Sequence, residues 1–201
     1  MTITVLNSRQ VIEQIGLVFP GNTGVAATPG CDINALSRVC LQSPTASQIF
    51  ASLHCLEEEV KVAFVNGGDE IVGSLYDPAT MTVIVRTDKK YKLSEYPGTV
   101  LMDSRVLLYH ELGHAVQHLV IKNSEMLTGE SNLKQDSLTR NETFIDYRGR
   151  AKVTLKKNSA FSFYHFDYYL EYNNLMLHEY KISRELGLPI RSKYDDIILV
   201  A

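Results

Sequence analysis

Apolar residues recur at helical spacing in the segment that spans residues 43–59 and reads SPTASQIFASLHCLEEE. Ser43 is a favourable N-cap residue, and Ile49, Leu53 and Leu56 then follow three or four positions apart. This spacing lines one face of a helix, because an α-helix has about 3.6 residues per turn. The pattern therefore predicts a helix over residues 43–59.

Three short segments rich in apolar and β-branched residues follow this helix. They cover residues 60–66, 71–76 and 81–87, and the sequences NGGDE and DPAT separate them. Clusters of Asn, Asp, Gly and Pro are typical of tight turns. The segments are predicted to form a small antiparallel meander, followed by a loop over residues 88–98.

A second helical pattern begins at Asp103 or Ser104, either of which can cap the helix, and runs to about residue 120. One narrow apolar stripe is expected to face the core, while His110 and His114 project together from another face and look outward. The stripe consists of Leu108, Leu112, Ala115 and Leu119.

The remaining segments are less regular. Residues 1–45 are rich in Gly, Pro, Ser, Thr and Asn, which predicts a poorly ordered leader with a possible role in delivery. Residues 121–159 are mostly polar and suggest long loops around one strand at 151–156. A final helix is predicted over residues 166–186, ending at Gly187. Helices and strands follow one another without βαβ alternation, which favours an α+β fold over residues 46–201.

Composition narrows the classes of function. The chain has 201 residues, 45% of them hydrophobic, and a formal net charge of −3, so nucleic acid is not an expected partner. The three cysteines, Cys31, Cys40 and Cys55, fit neither a disulfide framework nor a four-thiolate zinc site, and reduced thiols are expected. The N-terminal residues lack the basic region of a signal peptide, and no membrane-spanning segment is expected.

The second helix contains the sequence HELGH, which matches the metal-binding signature H-E-x-x-H at His110, Glu111 and His114. Residues four positions apart lie on the same face of a helix, so both imidazoles can reach one Zn²⁺. Glu111 lies about 100° around the helix from His110, where its carboxylate can act as general base for a zinc-bound water. This pattern predicts a zinc metallopeptidase.

The third ligand is left open by the motif. A further His at the metzincin spacing would fall at Val120, so that pattern fails. His118 continues the i, i+4 series, but a straight helix cannot bring three successive turns to one ion, so it is expected behind the ligands or near the substrate. The candidates lie towards the predicted C-terminal helix: Asp167, Glu171, His178, Glu179, His165 and the tyrosines Tyr164, Tyr168 and Tyr169.

Two segments together resemble the NleD-like effector metallopeptidases. These are LLYHELGHAV at residues 107–116 and HEYKISRELGLPIRSKY at residues 178–194, with a looser match at YDP, residues 76–78. The family tail has the form E-N-x-x-R-x-E-L-G-L-P-x-R-x-x-Y. Tyr180 stands at the usual Asn and Ser183 at the usual Arg, which are departures from the pattern.

The resemblance implies a zincin-like domain in which a small antiparallel sheet packs on the active-site helix and a C-terminal helix. It favours Glu179 as the third zinc ligand, with Glu171 second, and it places Tyr194 and Arg191 as candidates to stabilise the oxyanion. It also implies a secreted effector or toxin, exported without a signal peptide, that cleaves a specific protein in the cytoplasm of a host or target cell. Host signalling kinases are a substrate class of the family.

Other classes of protein remain possible from the sequence. A regulatory peptidase of the ImmA/IrrE type is similar at HELGH, although its F-A-x-x-L-L-M-P-like stretch is missing here. The helix could also belong to a non-catalytic zinc-binding or interaction module, or to a closed structural zinc site with four protein ligands. Zinc content and dependence on Glu111 discriminate among these possibilities.

Overall fold

The protein has an α+β fold in which helices cover both faces of a small mixed sheet, as seen in a computed structural model. The structure describes residues 3–21, 24–31, 33–68, 73–93, 96–97, 99–120, 142–145, 152–155, 174–191 and 197–199. The helices are α1 (Ser8–Val18), α2 (Ile33–Cys40), α3 (Pro44–His54), α4 (Ser104–Leu119), a π-helical turn (Leu175–Glu179) and α5 (Tyr180–Glu185). The strands are β1 (Ile3–Val5), β2 (Ala26–Ala27), β3 (Val60–Asn66), β4 (Leu75–Asp77), β5 (Thr82–Arg86), β6 (Tyr91–Leu93), β7 (Glu142–Ile145), β8 (Lys152–Leu155) and β9 (Ile197–Leu199).

The central sheet has the strand order β1-β3-β5-β4. Strands β1, β3 and β5 are parallel, β4 is antiparallel to β5, and β2 pairs antiparallel with the end of β3. Side chains of β3 and β5 alternate between two cores, as expected for pleated strands. Phe64 and Val85 face the helices α2 to α5, whereas Ala63 and Ile84 face α1.

The meander predicted for this region is wrong in its pairing, although its strands are present. Strand β3 lies beside β5 and not beside β4, and the β3–β5 pair is parallel. Parallel strands need a crossover connection of a dozen or more residues, and the segment between β3 and β5, which includes β4, is long enough to provide one. Hydrophobic patterning identifies such strands but does not determine their order.

The structure also differs from the poorly ordered leader predicted for residues 1–45. The described part of that segment forms β1, α1, β2 and α2, and Ile3, Val11 and Leu36 are buried. Asn7 caps α1 in a capping box with Gln10, a signal that the Gly-rich and Pro-rich flanks obscured. Whether the segment has a role in delivery stays a prediction.

Both predicted central helices are confirmed, with shorter bounds for the first. Ser43 caps α3, which ends at His54 and not near residue 59. Asp103 caps α4, and Leu108, Leu112 and Ala115 pack in the main core as expected. Helix α4 therefore runs through the interior, in contact with α3, the sheet and the π-helical turn.

Smaller elements complete the described structure. The loop predicted at residues 88–98 contains β6, which pairs with β9 near the C-terminus, and the predicted strand at 151–156 forms β8, which pairs with β7. The predicted last helix is confirmed at its C-terminal end, where Gly187 has a positive φ of 66° and closes a Schellman turn. Its predicted start lies outside the described residues. In the part of the chain that the structure describes, no helix is long and apolar enough to cross a membrane.

Candidate metal centre

The motif residues lie in a helix that is buried on nearly all sides. His110, Glu111 and His114 are only 3%, 6% and 6% exposed. The expectation that the histidines look outward is therefore wrong for α4, because the π-helical turn packs over that face. Polar side chains at this depth require partners, since an unpaired buried polar group is strongly unfavourable.

The two imidazoles converge as the motif spacing predicts. Nε2 of His110 lies 3.2 Å from Nε2 of His114, and the rings meet nearly at right angles, with an interplanar angle of 84°. Each Nδ1 has its own partner on the opposite side of the ring. Nδ1 of His110 lies 2.8 Å from Oε2 of Glu179, and Nδ1 of His114 lies 2.8 Å from Oε1 of Gln117.

The contacts of the two Nδ1 atoms bear on the tautomer of each ring. Nδ1 of His114 lies at hydrogen-bonding distance from an amide oxygen, whereas Nδ1 of His110 makes a close ion-pair contact with a carboxylate and not a directed hydrogen bond. With the proton of each ring on Nδ1, both Nε2 atoms present a lone pair at the point where they approach to 3.2 Å, which is the tautomer that binds a metal through Nε2.

The pair fits a zinc ion. Two nitrogen ligands at about 2.0 to 2.1 Å from a tetrahedral Zn²⁺ are separated by about 3.4 Å, close to the observed separation. Metal-binding histidines also commonly donate the other ring N–H to a carboxylate or carbonyl oxygen, and Nδ1 of each ring lies 2.8 Å from such an oxygen here. Among the described residues, no group of three or more His, Cys, Asp or Glu side chains is arranged to hold a metal ion. The geometry thus supplies two ligands of the three expected.

Glu179, predicted as the third ligand, lies on the other side of His110 from the converging nitrogens. It is 2% exposed, and its carboxylate contacts Nδ1 of His110 and the guanidinium of Arg191. Burial raises the pKa of Glu179, but the contact with His110 and the charge of Arg191 outweigh burial and lower it overall. The contacts of Glu179 therefore do not match the ligand role predicted from the motif.

Arg191 likewise has contacts that differ from its predicted role at the oxyanion. Its Nε donates to Oε1 of Glu179 at 2.7 Å, and its Nη2 donates to Oε2 at 2.6 Å. The residue is 3% exposed, and this bidentate geometry is the one in which Arg binds a carboxylate most specifically. Arg191 is thus engaged with Glu179 in the structure.

The π-helical turn and the residue before it approach α4 closely at Gly113. Nδ2 of Asn174 donates to the backbone oxygen of His110 at 2.6 Å, and Nδ1 of His178 lies 2.7 Å from Oδ1 of Asn174. A Cβ atom at Gly113 would overlap Asn174 and would lie 2.6 Å from Nδ1 of His178. Glycine at this motif position therefore permits the contact that places Glu179 beside His110.

His178 is a neutral imidazole near the histidine pair. Burial lowers its pKa to about 4, and the charges of His114 and His110 act in the same direction. Neutral imidazole is the form that binds metals, but the contact of Nδ1 with Asn174 already uses one nitrogen. His178 was among the sequence candidates and lies close to the site.

His118, which the sequence excluded as a ligand, contacts the sheet through its own partner. Its Nδ1 lies 2.8 Å from the hydroxyl of Tyr76 on β4, at the looser YDP match. Burial lowers the pKa of His118 and raises the pKa of Tyr76, so both groups are neutral near pH 7. The pair connects α4 to the terminal strand of the sheet.

The charge of Glu111 acts on Tyr91 of β6. Burial raises the pKa of Tyr91, and the negative charge of Glu111 contributes in the same direction. Glu111 is therefore within electrostatic range of a phenol that the sequence did not single out.

Several predicted site residues fall outside the described part of the chain. Tyr194 is one, and the others are Tyr164, His165, Asp167, Tyr168, Tyr169 and Glu171.

The sequence analysis did not identify Asn174 and Gln117, which are both buried. Gln117 contacts the ring of His114, and Asn174 donates to the backbone oxygen of His110. The signal for Gln117 was its i+3 position from His114. Asn174 gave a weaker signal, as a polar residue in an apolar stretch.

The chain was compared with known proteins at three levels. No protein-family model, curated protein or solved structure matches it. The chemistry of the site is therefore inferred from its own contacts and from the two motif resemblances.

Proposed function

We propose that this protein is a zinc-dependent endopeptidase in which His110 and His114 bind the metal and Glu111 is the general base. The observation that carries the proposal is the convergence of two Nε2 atoms at 3.2 Å, with an oxygen atom beside each Nδ1. Two imidazoles arranged in this way match the ligand pair that the H-E-x-x-H spacing predicts. The intact Glu111 beside the pair favours catalysis over a bare zinc-binding module.

Each residue has a distinct part in the proposed reaction. Zn²⁺, when bound, polarises the scissile carbonyl and lowers the pKa of a water molecule. Glu111 accepts the proton of the attacking water and passes it to the leaving amine. His110 and His114 hold the metal as neutral ligands. The buried surroundings exclude bulk water, which strengthens these electrostatic interactions.

The third ligand is proposed to come from the segment that precedes the π-helical turn. Because Glu179 is engaged with Arg191 and His110, Glu171 becomes the leading candidate. Tyr194 keeps its proposed role at the oxyanion.

The substrate class rests on the motif resemblance. HELGHAV and ELGLPIR favour an effector or toxin that cleaves a specific protein, with host signalling kinases as the first class to test. Delivery into a target cell without a signal peptide is part of the same proposal.

The proposal is tested by comparing wild-type protein with Glu111→Gln. We expect both to bind near-stoichiometric zinc, and only the wild type to generate new N-termini in eukaryotic or bacterial lysate, as measured by mass spectrometry. Loss of the general base should lower the cleavage rate by at least about 10²-fold. Glu13→Gln, the same change on the exposed surface of α1, serves as the matched control and should cleave normally.

Two results would overturn the proposal. One is wild-type protein that binds no zinc, and the other is cleavage that proceeds equally in Glu111→Gln. Zinc binding without any Glu111-dependent cleavage would instead support the non-catalytic module.

A further inference from the structure

The side of His110 that faces away from the converging nitrogens is held by a buried ion pair, and the corresponding side of His114 is not. His114 uses Gln117, a neutral residue three positions along the same helix. His110 uses Glu179, which lies in a different element and is itself bound by Arg191. One ring is therefore oriented locally and the other by tertiary structure.

The ion pair fixes the carboxylate in space. Arg191 binds both oxygens of Glu179, so the plane of the carboxylate cannot rotate without breaking a hydrogen bond. Oε2 then remains 2.8 Å from Nδ1 of His110. A buried carboxylate without a cation would be strongly unfavourable, and Arg191 supplies that cation.

The chain reaches this arrangement through the turn that ends α5. Gly187 adopts the left-handed conformation of a Schellman turn, with Leu188 N donating to Ser183 O at 2.8 Å. The turn reverses the chain and returns Arg191 to Glu179, twelve residues earlier. In the sequence ELGLPIR, the first residues end α5, Gly187 forms the turn, and Arg191 binds Glu179.

We propose that Glu179 and Arg191 are positioning residues that orient the imidazole of His110 towards the metal, and that neither is a metal ligand. This inference rests on the proposed function. Glu179 holds the proton of His110 on Nδ1 and makes Nε2 the better electron donor. Arg191 does not contact His110 in this proposal and acts through Glu179, whose carboxylate it holds in place.

The experiment measures metal affinity directly, without proteolysis. Apo protein is titrated with Zn²⁺ in competition with a chromophoric chelator, and with Co²⁺ while its visible absorption is recorded. The main variant is the double substitution Glu179→Gln with Arg191→Gln, which removes both charges and leaves no unpaired ion in the interior. We expect its zinc affinity to fall by about 10- to 100-fold, with an altered cobalt spectrum.

The matched control is Glu185→Gln, a glutamate on α5 whose carboxylate binds Ser43 and Thr45, away from the histidine pair. It should lose stability but keep wild-type metal affinity, which separates a positioning effect from a general structural one. Arg191→Lys keeps the charge but loses the two-point contact. We expect a smaller decrease in affinity, measurable even if the double variant does not fold.

The outcomes distinguish the two proposals. Wild-type affinity and spectrum in a folded double variant, or in Arg191→Lys if the double variant is unfolded, would overturn the positioning role and leave the peptidase proposal intact. Complete loss of the Co²⁺ spectrum in the folded double variant, as in His110→Ala, would show that Glu179 is a ligand and would also overturn it. Failure of the wild type to bind either metal would overturn both proposals.

Discussion

The π-helical turn and α5 each end with a glutamate, and these two glutamates have opposite surroundings. Glu179, at the end of the π-helical turn, is buried between His110 and Arg191. Glu185, at the end of α5, lies at the surface and accepts hydrogen bonds from the hydroxyl groups of Ser43 and Thr45 and from the backbone N–H of Thr45. Both carboxylates have a lowered pKa, so both are ionised near pH 7.

The difference shows how one short segment serves both a site and a scaffold. Glu185 satisfies free N–H and O–H groups at the start of α3, in the manner of an N-cap residue supplied by another helix. Glu179 instead contacts His110, one of the two proposed metal ligands. The π-helical turn packs on α4 and α5 packs on α3, and this packing decides that Glu179 contacts His110 whereas Glu185 contacts the start of α3.

The largest expected effect comes from breaking the buried ion pair on one side only. Glu179→Gln leaves the guanidinium of Arg191 buried at 3% exposure without its counter-charge. We expect the free energy of unfolding to fall by about 3 to 5 kcal/mol, as measured by urea denaturation. Removing both charges should restore part of this loss. A single variant as stable as the wild type would show that the pair is not needed for folding.

An intermediate effect is expected from Gly113→Ala. The added methyl group would overlap Asn174, whose amide is bonded to His110 and His178, so the π-helical turn must shift. Overpacking of this kind lowers the free energy of unfolding by about 1 to 3 kcal/mol, and we also expect weaker zinc binding. Chelator competition and thermal unfolding measure the two effects.

The matched control for this variant is Gly16→Ala in α1, where an added Cβ meets nothing within 4 Å. It should stabilise the protein by up to about 1 kcal/mol through helix propensity, without changing metal affinity. Equal behaviour of the two variants would contradict the close packing inferred at Gly113.

The smallest effect concerns Glu185 and its dependence on pH. Burial raises the pKa of Glu185, but hydrogen bonds from Ser43 and Thr45 outweigh it and lower the pKa from the ordinary value of 4.5. A lowered pKa in the folded state stabilises the protein above the ordinary pKa, and this contribution disappears as the pH falls through the folded-state pKa.

Glu185→Gln should therefore lower the free energy of unfolding at pH 7 by about 1 kcal/mol, a modest value because solvent screens the exposed carboxylate. The difference from the wild type should shrink below pH 4.5. Denaturation at pH 7 and pH 3 provides the measurement. A difference that stays constant with pH would indicate that the ionised carboxylate contributes nothing to α3.

Local periodicity in the sequence is sufficient to predict several parts of the molecule. The i, i+4 spacing of His110 and His114 was sufficient to predict that their rings converge, because helix geometry alone brings them together. Local signals also predicted the start of α3 at Ser43 and the end of the last helix at Gly187. They left the cap of α4 open between Asp103 and Ser104, and the structure has Asp103. The α+β class followed from the order of these elements.

Tertiary structure alone decided what lies around the histidine pair and how the strands are ordered. The parallel pairing of β3 with β5 depends on a crossover that hydrophobic patterning does not encode. The side of His110 that Glu179 contacts depends on the close approach at Gly113 and the turn at Gly187. The motif shows which residues could meet, but the same sequence is compatible with a Glu179 carboxylate beside Nδ1 or beside Nε2 of His110. Only the packing between the helices decides which of these two contacts forms.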